Sequence, residues 1–184
     1  MVEIASKQQL RLSFLRWAAV TVPLILFLGF LSGRLVPAGA QNHWYAALAK
    51  PGFTPPDWVF PVAWSAIYVL IGLALAMILH ARGARRRGPA IALFVLQFVA
   101  ALVWMPLFFG AHRVLASLVV IGVLWLLALA TTIVFARIRV VAAWLMIPYL
   151  VWIAFAAALT WEIMRLNPDA ERVAPSTPDA QIAI

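Results

Sequence analysis

Cysteine is absent from the 184 residues, which excludes both a disulfide framework and a thiolate metal site. Acidic residues are scarce too, six Asp and Glu against fourteen Lys and Arg. Glu3, Asp57, Glu162, Asp169, Glu171 and Asp179 all fall in loops or at the ends of apolar runs. None stands in mid-membrane, where a proton relay would need it. The three histidines, His43, His80 and His112, have no metal-ligand spacing. His43 is placed beside Trp44 to meet a ligand, although a solvated loop histidine is the commoner case. No nucleophile–base pair, phosphate loop or dinucleotide fingerprint occurs. Conventional hydrolase and ATPase chemistry is therefore excluded.

What the chain has in abundance is apolar sequence. It is 66% hydrophobic with a mean hydropathy of +1.00, whereas a soluble domain is about half apolar. Crossing the hydrocarbon takes about 20 apolar residues. Five segments qualify: 17–36, 58–80, 89–109, 114–136 and 140–164. The predicted fold is all-α, a polytopic membrane protein built as a five-transmembrane-helix bundle over residues 17–166. A basic N-terminal tail (1–16) precedes it, and a polar, proline-rich tail (167–184) reads as disordered. The net charge of +8 does not point to nucleic acid, because the basic residues lie in short loops and no binding motif accompanies them.

Those loops orient the chain. Lys7, Arg11, Arg16, Arg82, Arg85, Arg86, Arg87, Arg137 and Arg139 lie on the N-terminal side, nine against the five of the other side (Arg34, Lys50, Arg113, Arg165 and Arg172). By the positive-inside rule the N-terminus is cytoplasmic, with loop 37–57 on the far face. The same asymmetry favours a bacterial plasma membrane. A signal peptide is the rival for the first span, since Ala38-Gly39-Ala40 fits a cleavage site. The run from Trp17 to Ser32 is long for that, and Arg34 separates it from the site. Gly29 and Gly33 form a small-xxx-small pair suited to close helix contact. Pro106 and Pro148 interrupt spans three and five and are expected to kink them.

The long loop ends in Lys50-Pro51-Gly52-Phe53-Thr54-Pro55-Pro56-Asp57-Trp58. Adjacent prolines fix φ and remove donors, so a helix starts only near Pro56, with Asp57 expected in its first turn. Within the spans, a sparse polar set (Ser65, Tyr68, Gln97, Tyr149, Thr160) sits among Trp64, Trp104, Trp125, Trp144, Trp152 and Phe155. Such a mixture suits a ligand pocket with a few orienting groups. It suits ordinary helix packing equally well.

Three spaced motifs resolve the choice by resemblance. Lys50-Pro51, Pro55-Pro56-Asp57-Trp58-Val59-Phe60, Trp64 and Tyr68 are similar to the loop and second helix of the tryptophan-rich sensory protein / translocator protein family, also called the peripheral-type benzodiazepine receptor family. Gln97 with Trp104-Met105-Pro106-Leu107-Phe108-Phe109-Gly110 resembles its third helix. Pro148-Tyr149-Leu150-Val151-Trp152, Phe155-Ala156, Leu159 and Leu166-Asn167 resemble its fifth. The likeness covers about residues 20–167, and it implies a bundle, often homodimeric, with a pocket beneath the first long loop. Family members bind porphyrins and related tetrapyrroles, cholesterol-like lipids, and isoquinoline or benzodiazepine drugs. Carried over to this chain, the ligand-binding candidates are Pro55, Pro56, Trp58, Phe60, Trp64, Tyr68, Gln97, Trp104, Tyr149 and Trp152. Porphyrin or haem is the expected ligand, with no cofactor required and no metal site.

Two departures bear on specificity. Ala101 stands where the family commonly has asparagine, and Leu159-Thr160 replaces a Leu-Asn pair. Both remove amides, so a less polar ligand is expected. Trp161 also replaces the tyrosine of a sterol-binding motif, itself a weak pattern. The leading expectation is a receptor or carrier for a flat hydrophobic ligand. One alternative is light-dependent porphyrin oxidation, the only enzymatic chemistry compatible with these residues. Another is a regulatory partner of a second membrane complex, contacting it through Gly29, Gly33 and the basic tail.

Overall fold

The computed structural model describes residues 7–172, and they form a bundle of five long helices. α1 spans Lys7–Arg34, and the short α2 covers His43–Ala47 within the long loop. The remaining helices are α3 (Val59–His80), α4 (Arg87–Met105), α5 (Val114–Ala136) and α6 (Val140–Leu166). All five long helices have the length and apolarity to cross a bilayer. The all-α, five-span fold expected from sequence is therefore the observed one. α1 begins ten residues before the first predicted span, so most of the basic tail is the helix's first turns; residues 1–6 lie outside the described chain.

The outer faces are apolar, as lipid requires. Val95, Val99 and Val103 on α4, Val123 and Leu126 on α5, and Val151 on α6 are all exposed. Trp144 and Trp161 are exposed near the two ends of α6. At a rise of 1.5 Å per residue they stand about 26 Å apart. That matches the spacing of two interfacial aromatic belts around a hydrocarbon core of about 30 Å.

Prolines inside the spans leave carbonyls without intrahelical donors, and neighbouring hydroxyls answer at least one. Pro106 has no N–H for Leu102 O, one turn earlier. The Ser32 hydroxyl of α1 donates to that carbonyl at 2.8 Å. Beyond Pro106 the chain widens into a single π turn, Pro106–Gly110, closed by Ala111 N–H donating to Pro106 O at 2.9 Å. The disruption expected at Pro106 takes this form, while α6 runs without a break through Pro148.

Glycines set the approach of α1 to its neighbours. A Cβ on Gly72 would lie 3.0 Å from Val22 Cα, and the Thr21 hydroxyl donates to Gly72 O at 2.9 Å. A Cβ on Gly29 would overlap the ring of Tyr68, and one on Gly33 would meet Met105 Cε at 3.4 Å. Of the small-xxx-small pair, Gly29 is buried against Tyr68 and Gly33 is half-buried beside Met105. The small size of Gly29 is used within the bundle, against Tyr68.

Candidate functional site

The loop-side end of the bundle is held together by polar side chains spent on backbone groups. Asn42 caps α2 by accepting from Tyr45 N–H at 2.9 Å. Its Nδ2 donates to Pro37 O and to Phe109 O, each at 2.9 Å, so one buried amide joins the start of the loop to the π turn. Asp57 differs from expectation. It precedes Trp58, the N-cap residue of α3, and its Oδ2 accepts from Ala40 N–H at 3.1 Å. A single turn closes at Pro56, whose carbonyl accepts from Val59 N–H at 2.9 Å, and α3 proper starts at Val59, three residues past the diproline. The carboxylate therefore ties the two ends of the loop, beside Gly39 at φ +60°.

Residues 167–172 fasten the other side, contrary to the disordered tail expected there. Asn167 accepts from Ala49 N–H at 2.8 Å and donates to Ala49 O at 2.9 Å. Trp44 Nε1–H donates to Ala170 O at 2.8 Å, and Glu171 accepts from Leu115 N–H at 3.0 Å. Trp44 also stacks on His112, with ring centres 4.4 Å apart. Residues 173–184 of that tail lie outside the described chain.

Beneath this cover, α3, α4 and α6 turn aromatic side chains toward one another. Trp64 lies 5.2 Å from Tyr68, 6.4 Å from Tyr149 and 6.5 Å from Trp152, between ring centres. Phe60 meets Trp152 edge-on at 5.9 Å. Trp104 stacks on Phe108 at 5.2 Å and packs against both the central core and the loop-side core. Helical spacing explains the convergence: Phe60, Trp64 and Tyr68 recur every four residues, and Gln97 and Trp104 every seven, so each set shares a face. Edge-to-face packing of this kind adds about 0.5–1.5 kcal/mol per pair beyond burial.

The polar atoms within this cluster are unusual. Tyr149 donates its hydroxyl hydrogen to Gln97 Oε1 at 2.7 Å, joining α6 to α4. Gln97 Nε2, Trp104 Nε1 and Trp152 Nε1 are buried without any acceptor. A buried donor left unpaired costs about 1–3 kcal/mol. All three are N–H groups, and none donates to another protein group.

Of the ten candidate residues, six meet here, Phe60, Trp64, Tyr68, Gln97, Tyr149 and Trp152, while Trp104 stacks on Phe108 between the two cores. Pro55 is half-buried in the loop above, while Pro56 and Trp58 are exposed; Trp58, at 66%, stands outside the ring cluster. Ser65 and Thr160 turn their hydroxyls to the carbonyls of Pro61 and Ala156, one turn back on their own helices. His43 is exposed, and no metal-binding group of side chains occurs among the described residues. Sequence reasoning missed Asn42 and Asn167. Asn42 carried a readable signal, an N-cap residue three before Tyr45; Asn167 carried none beyond the motif it closes.

A five-helix polytopic membrane protein with a cluster of aromatic side chains between its helices is the class defined by this fold. Residues 19–166 match the TspO/MBR family, and the chain belongs to it. It is 36% identical over 151 residues to the tryptophan-rich protein TspO of Chlorobaculum tepidum, covering 82% of this chain and 95% of that one. It is 40% identical over 147 residues to the tryptophan-rich sensory protein of Cereibacter sphaeroides (77% and 91% covered). Likeness extends to the translocator protein of Sus scrofa, 36% identical over 141 residues, with 76% and 83% covered.

Proposed function

We propose that this membrane protein is a receptor or carrier for a flat hydrophobic ligand that carries hydrogen-bond acceptors, a tetrapyrrole such as a porphyrin or haem. The observation that carries the proposal is the aromatic cluster of Trp64, Tyr68, Tyr149 and Trp152, with the buried N–H groups of Gln97 and Trp152 in it and that of Trp104 at its margin, none of which donates to another protein group. A porphyrin offers a broad π face to Trp64 and Trp152 and carboxylate acceptors to Gln97, Trp104 and Trp152. The departure at Ala101 takes on a different meaning from the one expected. Losing an amide one turn beyond Gln97 leaves the glutamine donor free, which favours a ligand with acceptors over a less polar one. The rings already pack on one another, so binding requires them to part. Relatives named for sensing and for translocation support a role in transport or in tetrapyrrole-linked regulation.

The proposal includes a homodimer in the plasma membrane, with the N-terminus cytoplasmic and loop 37–57 on the far side. The nine-to-five division of basic residues supports this orientation. Titration of the purified protein with protoporphyrin IX in the dark, followed by Soret absorbance, tests the site. Saturable binding weakened about tenfold or more by Trp64→Ala and by Gln97→Ala is expected. Affinity unchanged in both variants would remove the ligand from this cluster. Illumination with product analysis separates binding from light-driven oxidation, for which a defined tetrapyrrole product would be required.

A further inference from the structure

The end of the bundle away from the long loop holds a cavity of about 410 Å³. It opens between α1, the last turn of α3 and the turn joining α5 to α6. Phe14, Met77, His80, Ile138, Arg139, Val140 and Val141 line it, and none of them belongs to the ring cluster. Its chemistry divides cleanly. Phe14, Met77, Ile138, Val140 and Val141 form an apolar wall, while Arg139 and His80 form a polar rim. His80 is fixed by its Nδ1, 3.2 Å from the Ser13 hydroxyl, and by the edge of Phe14.

Height in the membrane follows from α6. Val140 and Val141 begin that helix and are more than half exposed. The exposed Trp144, one turn further in, marks the interfacial belt. The cavity therefore lies where acyl chains give way to headgroups, and it is open to them from the side.

Charge at this end is unbalanced. The three ion pairs among the described residues, Arg113–Glu171, Arg165–Glu162 and Arg172–Asp169, all lie at the loop-side end. So does Asp57, the remaining described carboxylate. The two turns at the cavity's end carry Arg82, Arg85, Arg86, Arg87, Arg137 and Arg139, of which Arg139 lines the cavity. Arg87 is spent on the carbonyls of Ile78 and Leu79. Arg139 has no carboxylate partner among the described residues.

We propose that this cavity binds the headgroup of one anionic phospholipid. The phosphate pairs with the Arg139 guanidinium, and the upper part of an acyl chain lies along Phe14, Ile138, Val140 and Val141. The volume is at the low end for a small-molecule site. It accommodates the phosphate and glycerol, while the rest of the chains stays in the bilayer. A zwitterionic headgroup brings its own amine against the arginines and is disfavoured. Basic pockets between transmembrane helices are recognised sites for such headgroups. The site is separate from the ring cluster and is independent of what that cluster binds.

The test is native mass spectrometry of the full chain in detergent, titrated in turn with phosphatidylglycerol, phosphatidylcholine and inorganic phosphate. Phosphatidylglycerol should bind saturably, one per chain, with an apparent affinity at least about fivefold above phosphatidylcholine. Arg139→Gln should abolish that preference, Arg139→Lys should keep most of it, and Arg113→Gln at the far end should leave it unchanged. Val141→Trp, which fills the apolar half and keeps the arginine, should also remove it. Equal binding of the two lipids, or an undiminished preference in both Arg139→Gln and Val141→Trp, would overturn the proposal. Saturable inorganic phosphate that lipid does not displace would assign the cavity to a soluble anion and would equally overturn it.

Discussion

Gly29→Ala is the substitution whose outcome depends most sharply on the arrangement described. In an exposed helix interior the change from glycine to alanine stabilises by about 1 kcal/mol. Here the new Cβ would overlap Cε2 and Cζ of Tyr68 and stand 2.7 Å from the hydroxyl oxygen. The Tyr68 ring has little room to retreat, because Trp64, Phe98 and Phe30 lie 5.2, 6.4 and 5.9 Å from it between ring centres. Overpacking of this kind costs about 1–3 kcal/mol, so Gly29→Ala should be net destabilising. In a Tyr68→Ala background the obstacle is gone, and the same change should be neutral or stabilising. The predicted coupling is about 2 kcal/mol or more, well above the scatter of independent sites. Gly33→Ala is the internal control, since its Cβ would meet only the flexible end of Met105 at 3.4 Å; it should not destabilise. Reversible unfolding in mixed micelles, read by circular dichroism across the four variants of the cycle, measures these terms. Equal costs of Gly29→Ala with and without Tyr68 would refute the packing that places Tyr68 in the site.

Other predictions follow from single contacts. Ala101→Asn places an acceptor one turn from Gln97 Nε2; stability should rise by about 1 kcal/mol, while porphyrin affinity falls as the donor is used internally. Asn42→Ala removes an N-cap and two buried amide–carbonyl bonds, so unfolding in micelles should show a loss of roughly 2–4 kcal/mol. Trp44→Phe keeps an aromatic ring, though a smaller one, but not the bond to Ala170 O, and hydrogen exchange across residues 167–172 should accelerate, with protection lower by about 1 kcal/mol or more. Asp57→Ala frees Ala40 N–H, and limited proteolysis should cut loop 37–57 faster while the helices stay protected.

The five spans were legible because lipid imposes one rule on every exposed face, and a run of about 20 apolar residues satisfies it in no other way. The convergence of Trp64, Tyr68, Gln97, Tyr149 and Trp152 was legible only through the motifs, since periodicity alone allowed plain packing equally well. Other features were hidden for identifiable reasons. Residues 167–172 have the polar, proline-containing composition of a disordered tail, yet Asn167 and Glu171 spend their side chains on the amides of Ala49 and Leu115. Composition records that such groups are polar, not whether a distant backbone awaits them. Asp57 misled by proximity: a carboxylate near a helix start reads as a dipole partner, whereas the amide of Ala40, seventeen residues earlier, claims it. The unpaired donors could not be read at all, because an unmade hydrogen bond leaves no trace in a sequence.

Those donors lead to the most direct test of the central claim. Protoporphyrin IX and etioporphyrin, an alkyl-substituted porphyrin without oxygen acceptors, present similar π faces to the ring cluster. Their dissociation constants for the purified protein in the dark, measured side by side by Soret titration, isolate the hydrogen-bonding contribution. Protoporphyrin IX should bind at least about tenfold more tightly, as expected when a ligand satisfies one or more buried donors, and Gln97→Leu should narrow the gap. Equal affinities, with no effect of Gln97→Leu, would contradict the claim that the unpaired N–H groups of Gln97, Trp104 and Trp152 select the ligand.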